Sequence, residues 1–149
     1  MHRTILIMGL PGTGKTTLAN ELHKEFQYNG RQVTWLNADS IRQEYDDWDF
    51  SYEGRLRQAQ RMQKLSESAE GYVIIDIVAP LPEFREIIEH NVLIWMDTIA
   101  ESRYEDTNKM FVPPEDYNYR ITSYDSAKWA KQIYEDITEN IVEFLLLYT

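Results

Sequence analysis

Apolar positions along the chain fall into short unbroken runs separated by stretches with helical spacing. Thr4–Met8 (TILIM) reads as a strand that stops at a Gly-rich stretch. From Lys15 to about Tyr28, Leu18, Leu22 and Phe26 recur at i, i+4 and i+8 and so share one helical face. Asn29-Gly30 closes that helix. A second strand over Gln32–Leu36 leads into a polar segment from Asn37 to Asp49, and a long helix runs from about Glu53 to Glu70, ended by Gly71. Tyr72–Val78 (YVIIDIV) is apolar on both faces, as a buried parallel strand requires. A helix over Glu83–His90 and a strand over Val92–Met96 follow. The chain is then polar from Asp97 to the Pro113-Pro114 breaker, a region expected to form a lid over about residues 99–116. Tyr117–Thr122 reads as an edge strand. Asp125 to about Leu147 reads as the last helix, with Ala130, Ile133, Ile137, Ile141 and Phe144 at helical spacing.

Strands alternating with helices imply βαβ crossovers and a parallel sheet covered on both faces. The expected fold is therefore α/β: a three-layer sandwich around a central five-stranded parallel sheet, in a single domain over residues 1–149. The length fits the soft prior of ~100–200 residues per domain. With 43% hydrophobic and 13% aromatic residues, the chain can bury an ordinary core, which excludes a disordered segment. Cysteine is absent, so disulfides, thiolate metal sites and cysteine nucleophiles are excluded.

Charge narrows the partners. Acidic residues outnumber basic ones 25 to 15, a net charge of −10. Coating nucleic acid would need the opposite excess, so no long nucleic acid is expected as a partner. Any anion must instead be held by a few cations focused in one cleft. Nothing at the start resembles a signal peptide, and the apolar tail Phe144–Tyr148 falls far short of the ~20 residues that span a bilayer. A soluble, cytoplasmic protein with no membrane partner is expected.

The chemistry begins at Gly9-Leu10-Pro11-Gly12-Thr13-Gly14-Lys15-Thr16, which matches G-x-x-x-x-G-K-[ST] between a strand and a helix. Its glycines let consecutive N–H groups turn inward around a phosphate, and the helix that follows adds its positive end. Lys15 is expected to reach the β- and γ-phosphates of ATP, and Thr16 to ligate Mg²⁺. The N-K-x-D element of small GTPases is missing, because Asn108-Lys109-Met110-Phe111 lacks the Asp. A short P-loop domain of this kind suits a small-molecule kinase of the nucleoside-kinase-like type.

Two carboxylates end strands that should open on the same cleft, Asp39 after the second and Asp76 in the third. Either can hold Mg²⁺ or take the proton of an attacking hydroxyl. Asp39 can alternatively act as the N-cap of a helix starting at Ser40. Arg55, Gln58 and Arg61 share one helix face; they form either a solvated stripe or the site of a second anionic substrate.

In these residues the chain resembles the adenylylsulfate kinase family. Gly9–Thr17 resembles its G-L-S-G-A-G-K-S-T cradle, and Asn37-Ala38-Asp39-Ser40-Ile41-Arg42 resembles D-G-D-N-V-R. Phe50-Ser51 with Arg55, Gln58 and Arg61 resembles G-F-S-x-x-D-R-x-E-N-x-R-R, and Val78-Ala79-Pro80 with Arg85 resembles I-S-P-Y-x-x-x-R. Asp97-Thr98 resembles the family's V-D-T, and Lys109 falls where its lid lysine lies. The resemblance implies transfer of a phosphoryl group from ATP, with Mg²⁺, to the 3′-hydroxyl of adenylyl sulfate. It implies that Gly9, Pro11, Gly12, Thr13, Gly14, Lys15, Thr16 and Thr17 hold the donor, with Arg103 and Lys109 closing from the lid. Thr16 and Asp39 would hold the metal; Asp76, placed by its strand and not by the resemblance, would complete that shell, and Lys15, Asp39 and Asp76 are the expected catalytic set. Arg42 and Arg55 would grip the acceptor's anion and Phe50 would stack on its base, alongside Gln58, Val78 and Pro80. Lys15, Arg42, Arg55, Arg61 and Arg85 are expected to converge on one cleft, and the family commonly forms homodimers.

Several positions depart from the family pattern. Asn37 replaces an Asp, Gln58 an Asn, Ala79 a Ser and Asp106 an Arg, while Asp76 is an added acid. The long lid loop carrying the family's second stacking Phe is absent, and Phe111, Tyr117 and Tyr119 are the candidates to replace it. Two other readings stay open: a kinase acting on another nucleotide or a polynucleotide 5′-hydroxyl, and a non-catalytic nucleotide-sensing module.

Overall fold

A computed structural model describes residues 3–148, with side chains described as far as Glu139. Five parallel strands of the described residues form one sheet in the order β2-β3-β1-β4-β5: β1 (Thr4–Met8), β2 (Val33–Asn37), β3 (Tyr72–Ile77), β4 (Val92–Met96) and β5 (Tyr119–Ile121). The sheet is thus the one expected, and β5 is the edge strand. Among the described residues six helices accompany it: α1 (Lys15–Tyr28), α2 (Ala38–Tyr45), α3 (Tyr52–Ser68), α4 (Pro82–Ile87), α5 (Glu105–Met110) and α6 (Ser126–Tyr148).

Strand alternation separates two cores. Ile5 and Ile7 of β1 face α1 and α6, where Leu18, Leu22, Phe26, Ile133 and Ile137 are buried. Leu6 and Met8 face the other way, onto Ile41, Met62 and Phe84 of α2, α3 and α4. Ile141 and Phe144 lie beyond the described side chains. Among the described residues no helix is long and apolar enough to cross a membrane.

Two elements differ from the sequence reading. The polar segment after β2 folds as α2, because Asn37 caps it: the Asn37 side chain accepts from the Ser40 N–H at 2.9 Å. Asp39 therefore sits inside the first turn and is not the cap. The lid contains the six-residue helix α5, too short to show a period in sequence. Predicted and observed boundaries elsewhere agree within three residues.

Candidate active site

The strand order places the C-terminal ends of β2, β3 and β1 side by side, beneath the segment that links β4 to β5. A cleft of about 1750 Å³ opens there. Its floor is the turn between β1 and α1. Gly14 is the N-cap of α1, and among the described residues no side chain caps this end. The first N–H groups of the helix are therefore free to face an anion. Pro11, Gly12, Gly14, Lys15, Thr16 and Thr17 of the predicted cradle line the cleft. Gly9 and Thr13 do not. A side chain at Gly9 would stand 2.4 Å from the Met96 carbonyl, so this glycine lets β1 pass close to β4. Thr13 is buried, its hydroxyl donating to the Leu10 carbonyl at 2.8 Å.

Lys15 is buried and donates to the Leu10 carbonyl at 2.9 Å. Burial lowers its ammonium to about 8, against the attraction of Asp76 and then Asp39. Asp76 is the register partner of Asn37 across β2 and β3 and of Ile7 across β1 and β3. Its carboxylate accepts from Trp35 Nε1 at 2.6 Å, from Asn37 Nδ2 at 3.0 and 3.1 Å, and from Thr16 Oγ1 at 3.3 Å. Burial pushes the carboxyl above its ordinary range, and the hydrogen bonds and the Lys15 charge oppose that shift. A carboxylate in this apolar strand is tolerable because these donors partner it.

Thr16 and Asp76 together present a hydroxyl beside a carboxylate, and Asp39 lines the same cleft. This all-oxygen set fits Mg²⁺, which is bound through one or two carboxylates plus substrate phosphates rather than by an all-protein cage. Among the described residues no group of three or more His, Cys, Asp or Glu forms a metal cluster, so a Mg²⁺ here would draw its remaining oxygens from phosphate and water.

The far wall comes from the turn between α2 and α3. Trp48 and Phe50, each half exposed, line the cleft with their rings 6.5 Å apart. The Arg42 guanidinium lies 4.4 Å from the Phe50 ring centre and donates to the Asp47 and Asp49 carbonyls. Arg55 donates to the Phe50 carbonyl at 3.1 Å and to the Thr107 hydroxyl at 2.9 Å.

The expected gathering of five cations in this cleft is corrected. Lys15 and Arg55 line it; Arg42 faces a small side pocket behind Phe50, together with Gln58 and Pro80. Val78 borders both spaces. Gln58 is buried and donates to the Ala38 carbonyl, so it ties α3 to α2. Arg61 pairs with Asp47 at 3.0 Å and stacks on Tyr45. Arg85 is buried against the carbonyls of Ala79, Pro80 and Val112, and burial lowers it to about 10. Both are consumed by backbone or loop carboxylate, which the sequence spacing did not reveal. Lys109 is exposed and lies 3.6 Å from Glu105, outside the cleft lining. Arg103 does line the cleft.

Other residues of the site had no sequence signal. Trp48, Tyr104 and Tyr124 line the cleft, and the Tyr124 hydroxyl donates to the Gly12 carbonyl at 3.2 Å. None of the three candidate lid aromatics faces it. Phe111 lies under Arg85, Tyr117 against Trp95 and Tyr119 against Trp129. The lid also brings Glu101, Glu105 and Asp106 to the cleft, so with Asp39 and Asp76 carboxylates outnumber the cations Lys15, Arg55 and Arg103.

Comparison with known proteins bears on this arrangement. A family model described as adenylylsulphate kinase matches residues 1–105. A probable adenylyl-sulfate kinase of Archaeoglobus fulgidus is 34% identical over 90 residues, covering 58% of this chain and 58% of the relative. The cytidine diphosphoramidate kinase of Campylobacter jejuni is 25% identical over 87 residues, covering 58% of this chain and 51% of the relative. The chain thus spans about half the length of the curated relatives it matches. Among solved structures, an APS kinase of Mycobacterium tuberculosis in complex with AMPPNP and APS superimposes with a TM-score of 0.77 at 16% identity, over 91% of this chain and 97% of that one.

Proposed function

The chain belongs to the adenylylsulphate kinase family, and from that footing we propose that it is an ATP-dependent phosphotransferase acting on the 3′-hydroxyl of adenylyl sulfate. The observation that carries the reading is the juxtaposition of Lys15, Thr16, Asp39 and Asp76 in one cleft, opposite the aromatic wall of Trp48 and Phe50.

Phosphoryl transfer is mostly positioning and charge stabilisation, since the transition state spreads charge over the equatorial oxygens of the moving group. The free N–H groups at the start of α1 and the Lys15 ammonium would hold the β- and γ-phosphates. Mg²⁺, when bound by Thr16 with Asp76 and Asp39, would neutralise charge between those phosphates. Asp39, held on a capped helix and exposed to the cleft, would accept the proton as the acceptor oxygen bonds to the γ-phosphorus and the bond to ADP breaks. Arg55 would meet the acceptor's anion, and Phe50, held in place by Arg42, would stack on its base. Arg103 would close over the donor. Such a reaction belongs in the cytoplasm, where ATP is supplied.

Two observations favour a second acceptor. The acidic lid and the Campylobacter jejuni relative both suit a nucleotide whose terminal group donates hydrogen bonds, such as a nucleoside diphosphoramidate. An ADP-release assay with Mg·ATP decides between them. Adenylyl sulfate is expected to drive release, and cytidine diphosphoramidate or a 5′-hydroxyl oligonucleotide to do so poorly. Release with one of those alone reassigns the acceptor, and ATP binding without release on any of them identifies a sensing module.

A further inference from the structure

The lid is pinned at both ends. Near its start the Thr98 hydroxyl donates to the Thr13 carbonyl at 2.9 Å. Near its end the Val112 N–H donates to the Pro80 carbonyl at 2.7 Å, and Arg85 donates to the Val112 carbonyl. Between those pins, among the described residues, one hydrogen bond joins the lid to the wall built by α2 and α3. It is the bond from Arg55 to the Thr107 hydroxyl.

Both partners are buried, Arg55 to 9% and Thr107 to 7% exposure. Arg55 has no carboxylate within salt-bridge distance among the described residues. Its two acceptors, the Phe50 carbonyl and the Thr107 hydroxyl, take Nε and one terminal nitrogen. The guanidinium carries five donors in a fixed plane, so fixing two positions on its edge fixes the direction of the remainder. Arg55 lines both the main cleft and the side pocket, so that remainder is what it can offer a ligand there. Phe50 alone would leave the plane free to turn about a single bond.

We propose that Thr107 is a positioning residue for acceptor binding: its hydroxyl aims the free donors of Arg55 at the acceptor's anionic group and so couples lid placement to acceptor affinity. The inference rests on the reading of Arg55 as the acceptor's cation. It assigns a task to a residue of α5 that the sequence did not single out. Thr107 also lines the cleft, so the Arg55–Thr107 pair borders the space the acceptor would enter.

The test titrates adenylyl sulfate by calorimetry into the ADP-bound protein. Thr107→Val keeps the shape of the side chain and removes the hydroxyl. It is expected to weaken adenylyl sulfate about tenfold, the scale of one hydrogen bond to a charged group. ADP affinity should stay within about twofold of wild type. Thr107→Ser should restore acceptor affinity. Thr107→Ala is measured in parallel, so that a packing defect of the valine does not decide the outcome. A lid merely loosened by the substitution would lose ADP and acceptor affinity together, which contradicts the proposal. Arg55→Gln separates the two levels. If it weakens adenylyl sulfate while Thr107→Val and Thr107→Ala do not, the role of Thr107 falls and that of Arg55 stands. If Arg55→Gln binds adenylyl sulfate as the wild type does, or the wild type binds none, the reading of Arg55 falls and takes Thr107 with it.

Discussion

Asn37 donates to both carboxylate oxygens of Asp76, at 3.0 and 3.1 Å, from the neighbouring strand. The same amide turns its oxygen to the Ser40 N–H and hydroxyl, which begins the helix carrying Asp39. One side chain therefore sets the orientation of one acid and the placement of the other.

Removing it should cost stability twice. Asn37→Ala loses an N-cap, about 1 kcal/mol, and removes two of the four hydrogen bonds to the buried Asp76 carboxylate, about 1–3 kcal/mol. Asn37→Ser keeps a capping oxygen and should recover the first loss alone. Urea titrations of the three proteins read both steps, and equal stability of the alanine and serine variants would contradict the capping role.

Asp39 is not needed to cap α2, so its substitution should spare the fold. Asp39→Asn should melt as the wild type does and bind ADP normally, while turnover falls ~10²-fold or more, the scale of lost acid–base help. Steady-state kinetics beside a melting curve checks this, and turnover within threefold would remove Asp39 from the proton transfer.

Nucleotide affinity should depend on the charge of Lys15. In the free protein burial lowers this ammonium to about 8, and a bound phosphate favours the charged form. Binding below that value then needs no proton, whereas binding above it takes one up. The dissociation constant of ADP should thus be flat below about pH 8 and rise up to about tenfold per unit above it. Calorimetry in buffers of different ionisation enthalpy should detect the proton uptake at pH 9 and not at pH 7. Lys15→Ala should abolish binding; retained binding would show that the cradle does not depend on its cation.

Gly54, in the first turn of α3, carries a prediction opposite to helix propensity. Alanine normally stabilises a helix position by about 1 kcal/mol over glycine. Here an added Cβ would stand 2.1 Å from the Asp49 carbonyl, in the turn that presents Trp48 and Phe50. Gly54→Ala should lower the melting temperature and weaken acceptor binding, while leaving ADP binding intact. A variant as stable as the wild type would mean that the turn yields easily.

The parts of the molecule readable in sequence were those written in a period or a motif. The runs of β1, β3 and β4, the face of α1 and the cradle from Pro11 to Thr17 all carry a local signal. Asn37 went unrecognised as the cap of α2 because Asp39 is an equally good cap by residue type, and only the observed start of the helix separates them. Arg61 and Arg85 looked like site cations because their partners are far along the chain or are plain carbonyls. Asp47 sits in a loop fourteen residues before Arg61, and Val112 lies in the lid, 27 residues after Arg85. Thr107 and Tyr104 lacked any signal, since α5 is a single short helix whose neighbours are set by the fold.

The most direct measurement follows label from γ-labelled ATP, in the presence of Mg²⁺, onto adenylyl sulfate. The predicted result is label on the 3′-oxygen with one ADP formed per product, and about a hundredfold or greater loss of that transfer in Asp39→Asn. Label released as inorganic phosphate, or found on adenylyl sulfate at equal rates in the two proteins, would contradict the account.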